Sequence, residues 1–268
     1  MTREWPALDV INVSVGNYDS VALLLDDFHP TALEDRDTGI RAFFETSASR
    51  DAASAMLTRR GFIVAPIEVS DEDWATRSQE SLPPVTVDRI TITSEPWPSR
   101  DSFSLVIRPS MGFGTGHHPT TRLCLAALQD VSLTGSSVLD VGTGSGILAI
   151  AASILGAAEA IGLDADADAV QSATENLLLN PWVGPVHFVR ADLTTTSLPV
   201  SDVVVANLTG ALLVRSADIL KAAVRRPGAL IVSGLLESEE EAVGQAFAPA
   251  DTLRRQEDEW VCLTIRMR

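Results

Sequence analysis

A glycine-rich turn and an acidic residue beyond it are the residues of this chain best suited to chemistry. The segment DVGTGSG, Asp140–Gly146, stands where a predicted strand turns into a helix, so its glycines permit close approach of a ligand to the backbone. Gly142 and Gly144 begin a G-x-G-x-G pattern, which differs from the G-x-G-x-x-G of dinucleotide enzymes. Asp164 ends the next predicted strand, where a carboxylate can accept hydrogen bonds from both hydroxyls of a ribose. These residues predict a binding site for an adenosine cofactor.

A second segment, FGTGHHPTT over Phe113–Thr121, lies before that turn and precedes a predicted helix, Arg122–Leu128. Its adjacent histidines, His117 and His118, suggest a metal at first sight. Neighbours in sequence seldom bind one ion, however, and no cysteine or carboxylate stands at a useful spacing, so we predict no metal site. The hydroxyl of Thr121 either caps the helix or binds the carboxylate or amine of the cofactor.

Asn207 ends an apolar predicted strand, and the carboxyl ends of parallel strands are where open α/β sheets bind ligands. Its amide oxygen could accept a hydrogen bond from a target amine and aim the lone pair of that amine at a methyl group. Geometry and desolvation contribute much to such a transfer, so a strong base need not be present. Alternatively, Asn207 caps a helix that begins at Gly210. Asp192 has two interpretations as well, a contact with the adenine edge or a plain surface turn.

The elements from Ser136 onward alternate between short apolar strands and helices, which predicts a mostly parallel sheet covered on both faces. The predicted strands are Val138–Val141, Ala160–Asp164, Val186–Arg190, Val203–Ala206, Ala229–Ser233, Thr252–Gln256 and Val261–Met267, and the predicted helices are Ile147–Leu155, Ala167–Leu179, Leu212–Val224 and Glu237–Phe247. Asp166 and Asp168 stand where helix-start residues are favoured.

The first 70 residues predict a separate, small βαββαβ sandwich. Its predicted strands are Leu8–Val15, Ile40–Glu45 and Phe62–Val69, and its predicted helices are Tyr18–Phe28 and Ser49–Arg60. A charged linker helix, Asp71–Leu82, follows. The alternating segment Val85–Thr93 predicts one half-exposed strand, with Ser104–Arg108 as its partner.

Composition limits the functions that are open to this chain. Its 268 residues are 46% hydrophobic, which suffices for a packed core. The formal net charge of −16 argues against direct binding of nucleic acid, because such binding needs clustered basic residues. No apolar run approaches the ~20 residues that cross a bilayer, and the start lacks the pattern of a secretory signal. Cys124 and Cys262 are predicted to be buried free thiols in a reducing cytoplasm, and we take a monomer as the default.

These motifs, in this order and spacing, resemble the ribosomal protein L11 methyltransferase family. The likeness is strong over Leu105–Arg268 and weaker before it, where it is carried by Glu72-Asp-Trp74 and Glu95-Pro-Trp97. The segments that carry it most clearly are Phe113–Thr121, Asp140–Gly146, Gly162–Asp166, Ala206–Leu208, Ser233–Leu236 and Glu259-Trp260.

The resemblance implies a Rossmann-like, seven-stranded class I methyltransferase domain preceded by a small α+β ferredoxin-like domain. It places substrate recognition in residues 1–70, a linker in 71–104 and the catalytic domain in 105–268. The implied reaction carries methyl groups from S-adenosylmethionine to lysine side chains or the N-terminal amine of ribosomal protein L11. By motif position Thr121, Gly142, Asp164 and Asn207 would contact the cofactor, with Asn207 also near the target nitrogen.

The chain departs from the family pattern near the predicted linker and the entrance to the site. Ser78 replaces a usual tryptophan, Pro83-Pro84 replaces a usual Lys-Pro, and Arg108–Gly112 reads RPSMG. These changes leave the cofactor motifs intact and bear on the substrate. The alternatives are a related enzyme that methylates another protein or a small amine, and a catalytically silent module that binds cofactor and docks on the ribosome. An NAD-dependent oxidoreductase is disfavoured by the glycine spacing.

Overall fold

Seven strands of the C-terminal part of the chain form one sheet, in the order β10-β9-β8-β11-β12-β14-β13. The structure is a computed structural model that describes residues 4–11, 13, 21, 24, 25, 28, 30–36, 39–70, 83–95, 103–108, 116–248 and 251–268. The strands are β8 (Ser137–Val141), β9 (Glu159–Asp164), β10 (Val186–Arg190), β11 (Ser201–Asn207), β12 (Val224–Leu236), β13 (Asp251–Glu257) and β14 (Trp260–Met267).

The five strands from β8 to β12 are parallel, and β14 and β13 complete the sheet in antiparallel pairing. The helices that connect or cover them are α2 (Pro119–Asp130), α3 (Ile147–Ile154), α4 (Ala167–Leu178), α5 (Gly210–Ala222) and α6 (Glu240–Phe247). This confirms the predicted seven-stranded Rossmann-like sheet, because each predicted strand and helix of this region is present within a few residues of its predicted bounds.

The sheet is buried on both faces because its central strand β11 carries apolar side chains at four successive positions, Val203–Ala206. Along β11, Val203 and Val205 belong to one core with α2 and α3, while Val204 and Ala206 belong to a second core with α5 and α6. A strand with two buried faces reads as a continuous apolar run. Its last residue, Asn207, is polar and stands where the strand leaves the core.

The N-terminal part of the chain has its own four-stranded sheet of order β2-β3-β1-β4, all antiparallel. Its elements are β1 (Glu4–Ile11), β2 (Ala32–Arg36), β3 (Gly39–Phe43), α1 (Ser47–Arg59) and β4 (Ile63–Ser70). Residues 1–80 and 81–268 form two compact units. The division of labour between residues 1–70, 71–104 and 105–268 stays a prediction.

Two strand predictions are wrong in detail, and one further strand has no counterpart among the predicted strands. The first strand begins at Glu4 rather than Leu8, and β2 was not predicted because ALEDR lacks the β-branched residues typical of a strand. The segment Val85–Thr93 is not one strand but a hairpin, β5 (Val85–Val87) and β6 (Ile90–Thr93), that turns at Asp88 with φ 50°.

β7 (Ser104–Val106) pairs with β6 as predicted, in parallel orientation. Other segments with predictions lie outside the described residues. They include the linker helix at 71–82, most of the predicted helix at 18–28, and residues 96–102 and 109–115. No helix in the part of the chain that the structure describes is long and apolar enough to span a membrane.

Candidate active site

The candidate site lies at the carboxyl edge of the sheet, where the direction of chain winding reverses between β8 and β11. The chain runs from β8 outward through β9 and β10, then returns to the other side of β8 as β11. Open α/β sheets bind ligands in the crevice at such a reversal. Val141 pairs with both Leu163 and Ala206, so the next residues along each strand, Gly142, Asp164 and Asn207, stand at the same level of the sheet.

A cavity of about 160 Å³ opens at this edge. Gly142 and Asp164 line it, together with Leu208, the residue after Asn207. The other lining residues are Val141, Leu163, Ala165, Ala191, Asp192, Leu193, Thr194, Leu198 and Leu212. A larger groove of about 550 Å³ lies at the opposite edge of the sheet and includes Pro227 and Asp202. None of the predicted site residues lines that groove, so the smaller cavity is the one that fits the motifs.

Asp164 joins the glycine turn to the second strand. Its Oδ2 accepts a hydrogen bond of 2.9 Å from the Gly144 N–H, and its Oδ1 accepts one of 3.0 Å from the Asp166 N–H. An ionised carboxylate has about four acceptor positions. Two therefore remain for hydroxyl groups of a ligand. Asp166 itself caps α4 by accepting from the Asp168 N–H, as predicted.

Gly142 has to be glycine because its backbone is left-handed and its space is occupied. Its φ is 73°, and a Cβ there would lie 2.5 Å from Cδ2 of Leu208. The leucine that follows Asn207 therefore packs directly on the glycine turn Asp140–Gly146. The sequence showed the glycine spacing, and nothing in it indicated this contact with Leu208.

Asp140 is a buried carboxyl group below the turn, only 1% exposed. Its Oδ2 accepts hydrogen bonds from Thr143 Oγ1 at 2.6 Å and from the Ala149 N–H at 3.2 Å. Its Oδ1 has no partner among the described residues. Burial is the main reason that the pKa of Asp140 is raised to about 7; the neighbouring charge of Asp164 acts in the same direction, and the two hydrogen bonds oppose it.

The free energy of unfolding of the Asp140→Asn variant is expected to decrease less with rising pH than that of the wild type. Because the pKa of Asp140 rises from its ordinary 3.8 to about 7 on folding, the folded protein keeps a proton that the unfolded chain has released. The free energy of unfolding therefore falls as the pH rises from about 4 to about 7, by on the order of a few kcal/mol. Asparagine cannot ionise. The urea midpoint of unfolding of Asp140→Asn should therefore fall less than that of the wild type between about pH 5 and about pH 8.

Asp202→Asn is a matched control for this measurement. Hydrogen bonds from the backbone and side chain of Ser137 hold the pKa of Asp202 below its ordinary value. That carboxylate is thus ionised in both states over the same pH range, and its variant should give a profile parallel to the wild type. A profile for Asp140→Asn that also runs parallel to the wild type would contradict the prediction.

Thr121 is not the cap of its helix, so the capping interpretation is wrong. The N-cap of α2 is His118, whose Nδ1 accepts from the Thr120 N–H at 3.3 Å, and Pro119 follows at the first helical position. Thr121 is 1% exposed, and its Oγ1 has no hydrogen-bond partner in the described part of the chain. An orphaned buried hydroxyl is costly. It fits the interpretation that a ligand completes its hydrogen bonding.

The start of α2 is attached to the last two strands of the sheet. The ring of His118 packs edge-on against Trp260, with 4.9 Å between ring centroids. Arg122 donates from Nε to the Glu257 carboxylate at 2.8 Å and from Nη1 to the His117 carbonyl. Burial, and then the positive charge of Arg122, lower the pKa of His118. Neutral imidazole is the form that can accept at Nδ1, so the lowered pKa of His118 favours its role as the cap of α2.

Asn207 does not cap α5, because the N-cap of that helix is Thr209. The Asn207 side chain makes no hydrogen bond to any residue that the structure describes. Its position is nevertheless fixed, since Asn207 pairs with Ser233 along β12 and the next N–H, that of Leu208, donates to the Ser233 carbonyl at 2.9 Å. The backbone of Asn207 is therefore held in place, while its side-chain amide remains available to bind a ligand.

The helix that carries Thr121 contacts β12, the strand next to that of Asn207, and β14 through the Cys124 side chain. The Cys124 thiol, one turn after Thr121, contacts Cys262 and the Ser233 hydroxyl. The hydrogen bond with Cys262 and burial raise the pKa of Cys124. Both cysteines are free and buried, as predicted. These contacts bring Thr121 to the edge of the sheet where Gly142 and Asn207 stand.

Two other predictions concern Asp192 and metal binding. The Oδ1 of Asp192 accepts from the N–H and the Oγ1 of Thr194, both at 2.7 Å, and these bonds lower its pKa. It therefore forms a surface turn, and an additional contact with an adenine edge stays a prediction.

Within the described ranges no three histidine, cysteine, aspartate or glutamate residues are placed to hold a metal ion. Phe113–Thr115 and the altered segment at 109–112 lie outside the described residues.

Comparison with known proteins gives a consistent family. The profile of ribosomal protein L11 methyltransferase (PrmA) matches residues 17–268. A ribosomal protein L11 methyltransferase from Geobacter sulfurreducens is 39% identical over 266 residues, which cover 90% of this chain and 86% of that protein. One from Citrifermentans bemidjiense is 39% identical over 222 residues, covering 77% and 72%.

A solved structure agrees with these sequences. The crystal structure of a ribosomal protein L11 methylase from Lactobacillus delbrueckii subsp. bulgaricus has a TM-score of 0.62 at 27% identity, over 69% of this chain and 99% of that one. The family match spans the glycine turn, Asp164 and Asn207 as well as most of the N-terminal unit. The chain belongs to the ribosomal protein L11 methyltransferase family.

Proposed function

We propose that this chain transfers methyl groups from S-adenosylmethionine to amino groups of ribosomal protein L11, on lysine side chains, the N-terminal amine or both. The observation that carries the proposal is the uncommitted amide of Asn207, held level with Gly142 and Asp164 at one crevice of the sheet. The names of the relatives support L11 as the substrate.

Residues that line the crevice, together with Thr121 on α2, fit the cofactor in three respects. Asp164 keeps acceptor positions for the two ribose hydroxyls after binding the Gly144 and Asp166 N–H groups. The apolar lining from Leu163, Leu198 and other residues suits a flat base. Thr121 offers a buried hydroxyl that lacks a partner within the described residues, which suits the polar end of the methionine part.

When bound, S-adenosylmethionine supplies a methyl group on a positively charged sulfur. The work left to the chain is to position the accepting amine and to exclude water. The Asn207 amide oxygen can accept a hydrogen bond from an N–H of that amine and so orient its lone pair. An amide cannot take up the proton of an ammonium group, so the amine must lose that proton to solvent before transfer.

The charge of the chain supports a basic protein substrate. With a net charge of −16, the enzyme attracts a basic partner over distances set by the ionic strength. The substrate and the two reduced cysteines support a cytoplasmic setting, and we take the enzyme to act as a monomer without direct nucleic-acid contact.

Labelled cofactor in a cell lysate tests the proposal. Purified enzyme, methyl-labelled S-adenosylmethionine and a lysate that lacks L11 should give little labelled protein, and added purified L11 should then carry the label. Mass spectrometry of the L11 product identifies the modified amines. Label on another protein or a small amine, with none on L11, would contradict the assignment of L11 as the substrate. Absence of any label from a protein that still binds the cofactor would point to a silent docking module.

A further inference from the structure

Two buried asparagines, Asn176 on α4 and Asn180 just after the end of that helix, bind the backbone of the segment Val106–Arg108. Asn180 is fully buried, and Asn176 is 2% exposed. The Asn180 carboxamide accepts from the Val106 N–H at 2.8 Å and donates to the Val106 carbonyl at 2.8 Å. It thereby replaces a neighbouring strand at the free edge of β7.

Asn176, one helical turn earlier, makes a different pair of bonds. Its Oδ1 accepts from the Arg108 N–H at 3.0 Å, and its Nδ2 donates to the Ser145 carbonyl at 2.9 Å. The two amides therefore bind backbone N–H groups two residues apart along this segment, Asn180 that of Val106 and Asn176 that of Arg108. Only Asn176 also reaches the cofactor turn.

The Ser145 carbonyl belongs to a peptide group that shapes this turn. The same peptide group contributes the Gly146 N–H, which donates to the Thr143 carbonyl at 2.9 Å. A peptide is planar, so bonds at both ends fix its orientation. Gly144 and its bond to Asp164 come directly before it. The Asn176 amide therefore sets the part of the turn on which the proposed contact with the ribose depends.

We propose that Asn176 is a positioning residue that holds the cofactor turn at Ser145 to the chain at Arg108, so that affinity for S-adenosylmethionine depends on its carboxamide. The inference rests on the proposed function only in assigning this cofactor to the turn. It gives Asn176 and Asn180 separate roles, although both are buried and both bind the segment Val106–Arg108. Asn180 stabilises the attachment of β7, and Asn176 in addition positions the site.

Asn176→Ala and Asn180→Ala form a matched pair for the test. Both remove buried hydrogen bonds and should lower the urea midpoint of unfolding. Calorimetric titration with S-adenosylmethionine should give a Kd raised about tenfold or more for Asn176→Ala, because one buried hydrogen bond is worth about that factor. The Kd of Asn180→Ala should stay within about twofold of the wild type. Equal Kd changes in the two variants, or none in Asn176→Ala, would overturn the proposal.

Steady-state kinetics separate positioning from general loss of stability. In Asn176→Ala the KM for S-adenosylmethionine should rise with the Kd, whereas a merely structural role would lower the active fraction and leave KM unchanged. Because the titration needs no methyl acceptor, its result stands even if L11 proves not to be the substrate.

Hydrogen exchange in the wild-type protein tests the same link if a variant does not fold. Saturating S-adenosylmethionine should slow exchange of the Arg108 N–H several-fold, because Asn176 joins it to the occupied turn. The Val106 N–H, held by Asn180, should change by less than about twofold. Equal protection of the two amides, or no change at Arg108, would refute the link.

Discussion

Replacing Asn207 by alanine is expected to lower kcat for methyl transfer by at least about a hundredfold, because the accepting amine loses the group that orients it. The Kd for S-adenosylmethionine should rise by less than about tenfold, since Asp164 and the glycine turn are unchanged. Single-turnover rates with labelled cofactor, combined with calorimetric titration, measure the two effects separately. The backbone at Asn207 is held by its pairing with Ser233, so the variant should fold normally.

Thr209→Ala is the matched control for Asn207→Ala. Thr209 is two residues further along the same segment, is exposed, and makes no side-chain capping bond at α5. Its variant should keep kcat within about twofold of the wild type, in line with a surface substitution of small effect. A similar loss of kcat in both variants would mean that the whole segment, rather than the Asn207 amide, had been disturbed. Full activity of Asn207→Ala would remove Asn207 from the mechanism.

Replacing Gly234 by alanine is expected to lower kcat/KM by about a hundredfold, because it displaces the backbone next to Asn207. Gly234 has φ 87°, and a Cβ there would lie 2.3 Å from the Leu208 carbonyl oxygen and 3.0 Å from the Leu208 nitrogen. The backbone of Leu208 must therefore move. Because Leu208 follows Asn207 and packs on Gly142, that movement shifts the amide and the cofactor turn together. The strained backbone should also destabilise the fold by roughly 1–3 kcal/mol.

Gly244→Ala provides the control for this substitution. Gly244 lies inside α6, and no atom would come within 4 Å of an added Cβ. Alanine favours a helix interior over glycine, so this variant should gain up to about 1 kcal/mol of stability and keep full activity. Kinetic assays and thermal melts of the two variants make the comparison. Normal kcat/KM in Gly234→Ala would show that the Asn207–Leu208 segment tolerates displacement.

The local order of the catalytic sheet could be predicted because its strands are short, apolar and separated by helices of clear period. β10 was predicted with the bounds that the structure shows, Val186–Arg190. Predictions failed where local patterns were ambiguous. The alternation of apolar and polar residues in Val85–Thr93 is compatible with one strand or with two. The left-handed backbone at Asp88 turns the chain there and makes the segment a hairpin. The polar strand β2 forms because β3 supplies its hydrogen bonds, a contact that no propensity records.

The family motifs and their order are visible in the amino-acid sequence, and with them the strand ends that carry Gly142, Asp164 and Asn207. Glycine spacing and a polar residue after an apolar strand are local properties, so they can be read without a fold. The tertiary structure alone decided what surrounds these residues. It paired His118 with Trp260, left the Thr121 hydroxyl without a described partner, and raised the pKa of Asp140 by burial.

The same distinction holds for the supporting residues. The packing of Leu208 on Gly142, the approach of Gly234 to Leu208, and the two bonds of Asn176 join segments that are distant in the chain. Such contacts depend on strand order and register, which arise only when the sheet assembles. The amino-acid sequence therefore shows which chemical groups this protein carries. Which residues position and stabilise each group becomes clear only in the folded structure, because packing brings distant segments of the chain into contact.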